Sequence, residues 1–445
     1  MKMNLELARD FISSIRKWTS PWYAAYAILG LVSAAIIPVL LPLMVTASSH
    51  NLSYVAWVMG IYNLGLLTSP LWGNLTDKKH KHRLLFFGGF VLLLAGLIIL
   101  PFAKKLLSWL IISFLLGSGT AAVATVSTLF VVEFNPQNEW SSRIGWLQSF
   151  NGAGQTIGLV IAAIFSSSGL FNYGIWIGAV LLLPAIILGH LGLPVKKSQT
   201  GIQHLIKDLD FRKLAKFGKI ELIGGGLLRH SHHLNISALR NIKKLLSTSF
   251  GLFILSWFVA SFGVAAFFAY FPLAMKTAYL VPPGLTSLIY AVAGGIGIAL
   301  YTGTTKLSEN YGVSKVYKWG TFLRLFGFLF LLLLIFLKIS LMPVIASLAF
   351  ALIILSWPIL SVTGTTITAE LTPVSEGEAM GLYNASGAVA TVLGTFLGGP
   401  LVGIIGFSAI PILGVAGLGI SFILTLKIHM KKEKIEEGTS LAVHT

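Results

Sequence analysis

The chain has 445 residues, of which 55% are hydrophobic and only 11% are charged, and its mean hydropathy is +0.84. Soluble domains carry about 25% charged residues, so this composition excludes an ordinary soluble protein. The absence of cysteine excludes disulfides, thiolate metal sites and cysteine nucleophiles. A net charge of +17 would suggest a nucleic-acid partner in a soluble protein. Here we interpret it as a feature of membrane topology, with no nucleic acid involved.

Apolar runs long enough to cross a bilayer recur along the chain, since about 20 residues of helix span the hydrocarbon core. The first run is too long for the core of a signal peptide and is expected to remain as a span. The runs are continuous, which argues against the alternating strands of a membrane β-barrel. We therefore predict an all-α membrane protein with twelve transmembrane helices, near residues 21–46, 52–76, 83–103, 106–134, 142–167, 171–194, 248–275, 283–305, 317–338, 341–370, 377–402 and 405–427.

Lysine and arginine are distributed unevenly between the two sides of these spans. With the N-terminus in the cytoplasm, 27 of the 32 basic residues fall on the cytoplasmic side, 4 on the other side and one, Arg324, within a span. Because positive residues favour the cytoplasmic side of short loops, both termini are predicted to be cytoplasmic. The expected location is the cell (plasma) membrane, with the lipid bilayer as partner.

A long basic stretch divides the spans into two groups of six. We expect an N-terminal bundle over residues 1–194, a cytoplasmic linker over 195–246, a C-terminal bundle over 247–430 and a cytoplasmic tail over 431–445. Within the linker, apolar residues at helical spacing over 202–209 are typical of a helix lying along the membrane surface. Its histidine-rich stretch, 229–233, could bind a metal, but such stretches are usually only solvated, so neither a metal nor a cofactor is predicted.

The two groups of spans repeat each other, which points to a duplicated bundle. The turns after the second and the eighth span correspond at one shift, so that Leu75 matches Leu307 and Asp77 matches Glu309. A second shift matches small residues of the fifth and the eleventh span, namely Gly145, Gly158, Ala162 and Ala163 with Gly381, Gly394, Gly398 and Gly399. Two parallel halves around a site at the midplane are a known transporter plan.

At these turns the chain resembles the major facilitator superfamily, and the resemblance extends over essentially its whole length. The loop signature of that family runs Gly-x-Leu-Ala-Asp-Arg-x-Gly-Arg-Arg. In the first turn Gly73, Leu75, Asp77, Lys78 and Lys81 match this signature, and His80 stands where a glycine is expected. The second turn keeps Leu307, Glu309 and Gly312 but has lost the basic residues. The resemblance implies two pseudo-symmetric six-helix bundles and a cytoplasmic gate in which Asp77 and Arg83 take part. The predicted gating residues are Gly73, Asp77, Lys78, Arg83, Glu309 and Gly312.

Polar side chains within the spans are candidates for a substrate cavity. Gln148, Asn151 and Gln155 are three and four residues apart and therefore share one face of the fifth span. Amides are expensive to present to lipid, so this face should point into the protein. Asn384 is the repeat equivalent of Gln148, and Asn63 lies midway along the second span. Two roles remain open for these amides, cavity lining and hydrogen bonding between helices.

Charged side chains are almost absent from the span interiors, where a charge costs about 3 kcal/mol on insertion scales. For Arg324 two roles remain open: snorkelling or a structural ion pair, or binding of an anionic substrate. Glu133 and Glu370 lie at cytoplasmic helix ends, where we expect them to pair with nearby basic residues. Proton-driven carriers of this fold usually hold a titratable group within the membrane, because the proton is bound and released inside the cavity. No carboxylate falls at mid-depth here. This favours facilitated diffusion, or coupling to something other than a proton carried by a carboxylate.

We therefore expect a secondary transporter that moves a small-molecule substrate by alternating access and works as a monomer. An enzyme is not expected, because no histidine, carboxylate or nucleophile cluster recurs at one depth. Two alternatives share the fold: a drug or metabolite efflux pump and a lipid-type flippase. The pump is weakly supported, since Ser113 and Leu159 stand where exporters of the family carry an arginine and a proline. From another class, a non-transporting membrane sensor remains open.

Overall fold

The computed structural model describes residues 18–79, 82–136, 139–193, 248–337, 339–371 and 376–428. This part of the chain consists of helices and short connections, with no strand. The predicted linker, its amphipathic segment and histidine-rich stretch, the tail, and the segment before residue 18 lie outside the described residues.

Twelve helices follow one another along the described chain, and two of them are interrupted. The helix α1 comprises Tyr23–Leu31, a π-helical turn Val32–Ile36, and Ile37–Ser49, and α2 comprises Ser53–Leu66 and Ser69–Lys79. The remaining helices are α3 (His82–Ile99), α4 (Leu106–Phe134), α5 (Trp140–Ser168), α6 (Phe171–Gly192), α7 (Ser249–Ala278), α8 (Pro283–Tyr311), α9 (Val313–Leu337), α10 (Met342–Leu371), α11 (Glu376–Ile405) and α12 (Ala409–Leu426).

Ten helical runs of the described chain are long and apolar enough to cross a membrane, and two local features reconcile this number with twelve helices. α2 breaks at Leu67 and Thr68, because Pro70 has no N–H to donate to the Leu66 carbonyl four residues earlier and its ring clashes with that carbonyl. α11 and α12 are joined by a short 3₁₀ turn, Gly406–Ser408, and together form one apolar run of 48 residues. The predicted spans are recovered with shifted ends, and α9 begins at Val313 instead of residue 317.

The helices form two six-helix bundles with the same packing scheme. In the first bundle α1 packs on α5 and α6, α4 packs on α2 and α3, and α3 also packs on α6. In the second bundle α7 packs on α11 and α12, α10 packs on α8 and α9, and α9 also packs on α12. Each pair of the second bundle is the counterpart, six helices later, of a pair in the first. The fold class predicted from the sequence, two pseudo-symmetric bundles, is confirmed.

Small residues permit the closest helix contacts at equivalent places in both bundles. A Cβ atom at Gly158 of α5 would overlap the carbonyl oxygen of Leu31 in α1, and a Cβ at its repeat equivalent Gly394 would overlap that of Phe262 in α7. Gly154 stands against Ala27 in the same way. In a membrane, where apolar helices gain little by leaving lipid, such close backbone approach is a main source of helix association.

The π-helical turn of α1 precedes Pro38, and polar side chains compensate for that proline. Because Pro38 has no N–H, it cannot donate to the Ala34 carbonyl four residues earlier, nor to the Ser33 carbonyl five residues earlier in the π-helical pattern. The Tyr62 hydroxyl of α2 donates to the Ser33 carbonyl at 3.3 Å, and the Gln155 amide of α5 donates to the Ala34 carbonyl at 3.2 Å. Three helices of the first bundle are thereby tied together at mid-depth.

Candidate functional site

The alternating direction of the helices gives the molecule two faces. α1 begins and α12 ends at one face, which we call the basic face because most lysines and arginines of the sequence flank it. The α1–α2 and α7–α8 connections lie at the other, which we call the opposite face. The bundles contact each other mainly through two helix pairs, α5 with α8 and α2 with α11. These pairs are exchanged by the pseudo-symmetry that relates the bundles.

A cavity of about 1240 Å³ lies between the two bundles. Its first-bundle wall comes from one face of α5, and its second-bundle wall comes from α7, α8, α10, α11 and Arg324 of α9. The lining begins at the basic face, with Trp18 and Gly145, and extends along α5 to Leu159 and along α11 to Thr391. The cavity therefore reaches from the basic face into the middle of the helices.

Beyond mid-depth the bundles close on each other at the opposite face. The Tyr270 hydroxyl of α7 donates to the Leu52 carbonyl at 2.7 Å and accepts from the Ala56 N–H of α2 at 3.1 Å. A Cβ at Gly399 of α11 would overlap the Ala56 side chain, so α2 and α11 meet nearly backbone to backbone. On the other flank, a Cβ at Gly284 of α8 would overlap the Ser167 hydroxyl of α5. The cavity is thus open towards one face and closed towards the other.

The amide face of α5 predicted from the sequence lies in the cavity wall. Gln148, Asn151 and Gln155 all line it, and Asn384 of α11 faces them from the second bundle. Gln155 also makes hydrogen bonds between helices: besides its bond to α1, its Nε2 lies 3.4 Å from the Tyr290 hydroxyl of α8. Both roles left open by the sequence therefore apply to Gln155. In the described part of the chain, Asn151 and Asn384 have no hydrogen-bond partner, which leaves their amides available to a ligand.

Asn63 lies away from these amides. Its Nδ2 donates to the Thr395 hydroxyl at 3.3 Å, and Thr395 is fully buried. The side chain belongs to the α2–α11 contact and is not among the residues that line the cavity. The difference from the sequence prediction arises because α2 turns this residue towards α11, on the closed side of the cavity.

Arg324 is buried in the cavity wall at mid-depth. It is the eleventh residue after Val313, where α9 begins, which places it about 16 Å into the helix at ~1.5 Å per residue. The residue is only 4% exposed, and its guanidinium carbon lies 5.5 Å from the ring centres of both Phe268 and Trp357. At these distances cations are attracted to the faces of aromatic rings.

The surroundings of Arg324 do not fit snorkelling or a structural ion pair, the first role considered for it. A snorkelling side chain would extend to the interface, whereas this one ends inside the protein because α9 begins earlier than predicted. Within the described residues it forms no ion pair and no hydrogen bond, and its Nε is enclosed without a partner. The remaining possibility, contact with an anionic substrate, is consistent with a guanidinium that borders the cavity.

Aromatic side chains of the cavity wall were not predicted from the sequence. Those of the second bundle are Trp257 and Phe268 of α7, Tyr290 and Tyr301 of α8, and Trp357 of α10. Trp257 stacks on Tyr383 of α11, with ring centres 4.6 Å apart, and also lies 6.2 Å from Trp357. One signal was present in the sequence: Trp257 and Trp357 fall inside their spans, away from the interfacial belts where tryptophan is usually enriched.

The carboxylates at helix ends lie outside the cavity. Glu133, near the end of α4, contacts His82 at the start of α3, with 2.5 Å between Oε2 and Nε2. Glu139 pairs with Arg143 across one turn at 2.8 Å. Glu370 lies in the last turn of α10 at the basic face. Among the described residues that line the cavity there is no aspartate or glutamate.

The predicted gating residues lie on or next to the basic face. The guanidinium of Arg83 donates to the His190 carbonyl of α6 at 3.0 Å, while the side chains of Asp77 and Lys78 are outside the described part. Gly73 has ordinary contact with Thr125 of α4, at 3.7 Å from a Cβ placed on it. Gly312 joins α8 to α9 with φ of 85°, a conformation that favours glycine. Glu309 is exposed three residues before it.

Comparisons with known proteins agree with this fold. The family model described as Major Facilitator Superfamily matches residues 22–363, well over half of the chain, while no curated protein matches.

Among solved structures, the chain is similar to the nucleoside transporter NupG, at 12% identity and a TM-score of 0.65, covering 91% of this chain and 96% of that one. It is similar to the xylose transporter XylE from E. coli in its inward open conformation, at 14% identity and a TM-score of 0.64, covering 93% and 96%. A POT family transporter in complex with 5-aminolevulinic acid gives 15% identity and a TM-score of 0.63, covering 92% and 94%. Identities this low show a common fold, and the family match goes further: the chain is a multi-pass membrane protein that belongs to the major facilitator superfamily.

Proposed function

We propose that the protein is a secondary transporter that carries a small solute through the cavity between its bundles by alternating access. One observation carries the proposal: the cavity is open towards the basic face, while the two bundles are in direct contact at the opposite face. In alternating access the bundles rock so that these two states are exchanged. The described contacts at the opposite face are two hydrogen bonds and close approaches of small side chains across the bundle boundary. Such contacts can break when the bundles rock apart.

The proposal includes an orientation and a gate. We propose that the basic face is cytoplasmic in the plasma membrane, which makes the observed state inward-open, and that residues 195–246 form a cytoplasmic linker between the bundles. The positive-inside rule supports this orientation. Reporter fusions at residues 220 and 440 should then read as cytoplasmic, and a fusion at residue 50 as external. We also propose that the acidic turns at Asp77 and Glu309 form contacts across the basic face when it closes.

A reversible cross-link on the closed side of the cavity tests the transport cycle. Asn63 and Thr395 are in contact across the bundle boundary, and the chain has no native cysteine. The double variant Asn63→Cys, Thr395→Cys should form a disulfide under mild oxidation. We expect the cross-link to abolish solute uptake into proteoliposomes, screened against a broad solute panel, and reduction to restore it.

The two single variants are the matched controls, because they carry the same substitutions but cannot cross-link. Oxidation should leave their uptake unchanged. Full uptake by the double variant, with the cross-link shown to be complete, would rule out alternating access across this contact.

A further inference from the structure

The guanidinium of Arg324 has no counter-charge in the cavity wall that the structure describes. Of the described residues that form this wall, Arg324 alone carries a formal charge, and no described carboxylate approaches it. An arginine cannot lose its proton inside a protein, and burial of an unpaired charge is strongly unfavourable. The empty cavity therefore carries one positive charge that a ligand can neutralise.

The surroundings of the guanidinium restrict how a ligand can reach it. Phe268 and Trp357 pack against the group, and its Nε is enclosed without a partner. The guanidinium offers donors along the edges of a planar fork, a geometry that matches a carboxylate in a bidentate contact. A ligand carboxylate or similar oxyanion next to Arg324 would supply the missing counter-charge.

The rest of the wall indicates what is attached to that anionic group. Trp257, Tyr290 and Tyr301 continue the aromatic surface that begins at Phe268 and Trp357. Flat apolar groups stack favourably on such rings. Across the cavity, the amide of Asn151 is available for polar substituents of the ligand. A purely inorganic anion would leave this aromatic surface unused.

We propose that the cavity binds a planar organic monoanion, with its anionic group on Arg324 and its ring among the aromatic side chains of the second bundle. This inference rests on the proposed transport function for its purpose but can be tested by binding alone. A cation is disfavoured by repulsion from Arg324, and a neutral analogue leaves the guanidinium unpaired.

Matched pairs of probes test the charge requirement on the purified full-length chain in detergent. Titration calorimetry and thermal unfolding would compare benzoate with benzamide, and indole-3-acetate with indole-3-acetamide, with inorganic phosphate alongside. We expect each carboxylate to bind about ten- to hundredfold more tightly than its amide, as expected for a hydrogen bond to a charged group. Equal binding of the amides, no response to either carboxylate, or an equal response to phosphate would each overturn the proposal.

Variants of Arg324 separate a binding role from a structural one. Arg324→Met should abolish the preference for carboxylates and raise the unfolding temperature of the ligand-free protein, because it removes an unpaired buried charge. Arg324→Lys should keep part of the preference, since it retains the charge without the planar fork. A structural arginine would instead show a lower unfolding temperature in Arg324→Met and unchanged probe binding, and this result would overturn the proposal.

The outcome is independent of the transport test. Carboxylate binding without an effect of the Asn63–Thr395 cross-link on uptake would retain the anion site and reject alternating access. Cross-link-sensitive uptake without selective carboxylate binding would reject the anion site alone.

Discussion

The Tyr270 hydroxyl provides the sharpest test of how the opposite face is held closed. It lies between the Leu52 carbonyl and the Ala56 N–H, the two ends of the first i→i−4 pair of α2. The change Tyr270→Phe removes both hydrogen bonds between α7 and α2 while keeping the ring. Each is worth about 0.5–1.5 kcal/mol net, and both are lost when the face opens. The variant should therefore favour the open face by about 1–3 kcal/mol, a shift of about five- to 150-fold.

Thiol labelling measures this shift directly. Thr395 is fully buried at the α2–α11 contact, so Thr395→Cys should react with a membrane-impermeant maleimide only while the opposite face is open. In this background we expect Tyr270→Phe to speed labelling by the factor given above, up to the rate of an exposed cysteine.

The matched control is Tyr279→Phe. Tyr279 is also a buried tyrosine of the second bundle, but its hydroxyl donates to the Leu331 carbonyl of α9 at 3.0 Å, inside one bundle. Its loss should lower stability without speeding the labelling. Equal labelling rates for the Tyr270 variant and this control would refute the assignment of Tyr270 as a contact that holds the face closed.

Three further predictions concern individual side chains. Gln155→Leu leaves the Ala34 carbonyl without a donor and should destabilise the protein by about 1–3 kcal/mol, seen as an earlier unfolding transition in denaturant; an unchanged transition would show that the bond is not needed. Asn151→Cys should react with a water-soluble thiol reagent in membranes, whereas Ile157→Cys, 57% exposed on the outer surface of α5, should not; the reverse pattern would place the cavity on the other face. Glu133→Gln removes a carboxylate that lies outside the cavity against His82 and should leave any proton movement during uptake intact, as read from internal pH in proteoliposomes; its abolition would make this carboxylate a coupling site.

The sequence predicted the features that depend on local pattern. Apolar runs located the helices, and the spacing of Gln148, Asn151 and Gln155 placed one polar face in the cavity wall, because residues three and four apart share a helix face. The sequence repeat predicted the two equivalent bundles, because small residues at matched positions allow the same helix pairs to pack closely in both halves.

Features that join distant segments were missed. Arg324 meets Phe268 and Trp357 on two other helices, and no spacing along the chain relates residues on separate helices. The role of Asn63 was misplaced because the rotation of α2 about its axis is set by packing against α11. Pro38 was a local signal of the irregular turn in α1. That the Gln155 amide donates to the Ala34 carbonyl at this turn could not be predicted, because the two residues lie on different helices.

The unpaired guanidinium at mid-depth also determines how the membrane potential acts on the protein. A unit charge that crosses the whole field changes in energy by about 2.3 kcal/mol per 100 mV, and in the proposed transport cycle the position of Arg324 within that field would change as access changes from one face to the other. If the basic face is cytoplasmic, as proposed above, a negative cell interior would favour the inward-facing state of the unloaded protein. The proposed bound monoanion would cancel the charge and remove this bias. Voltage would then slow the outward return of the empty protein while leaving the loaded step almost unaffected.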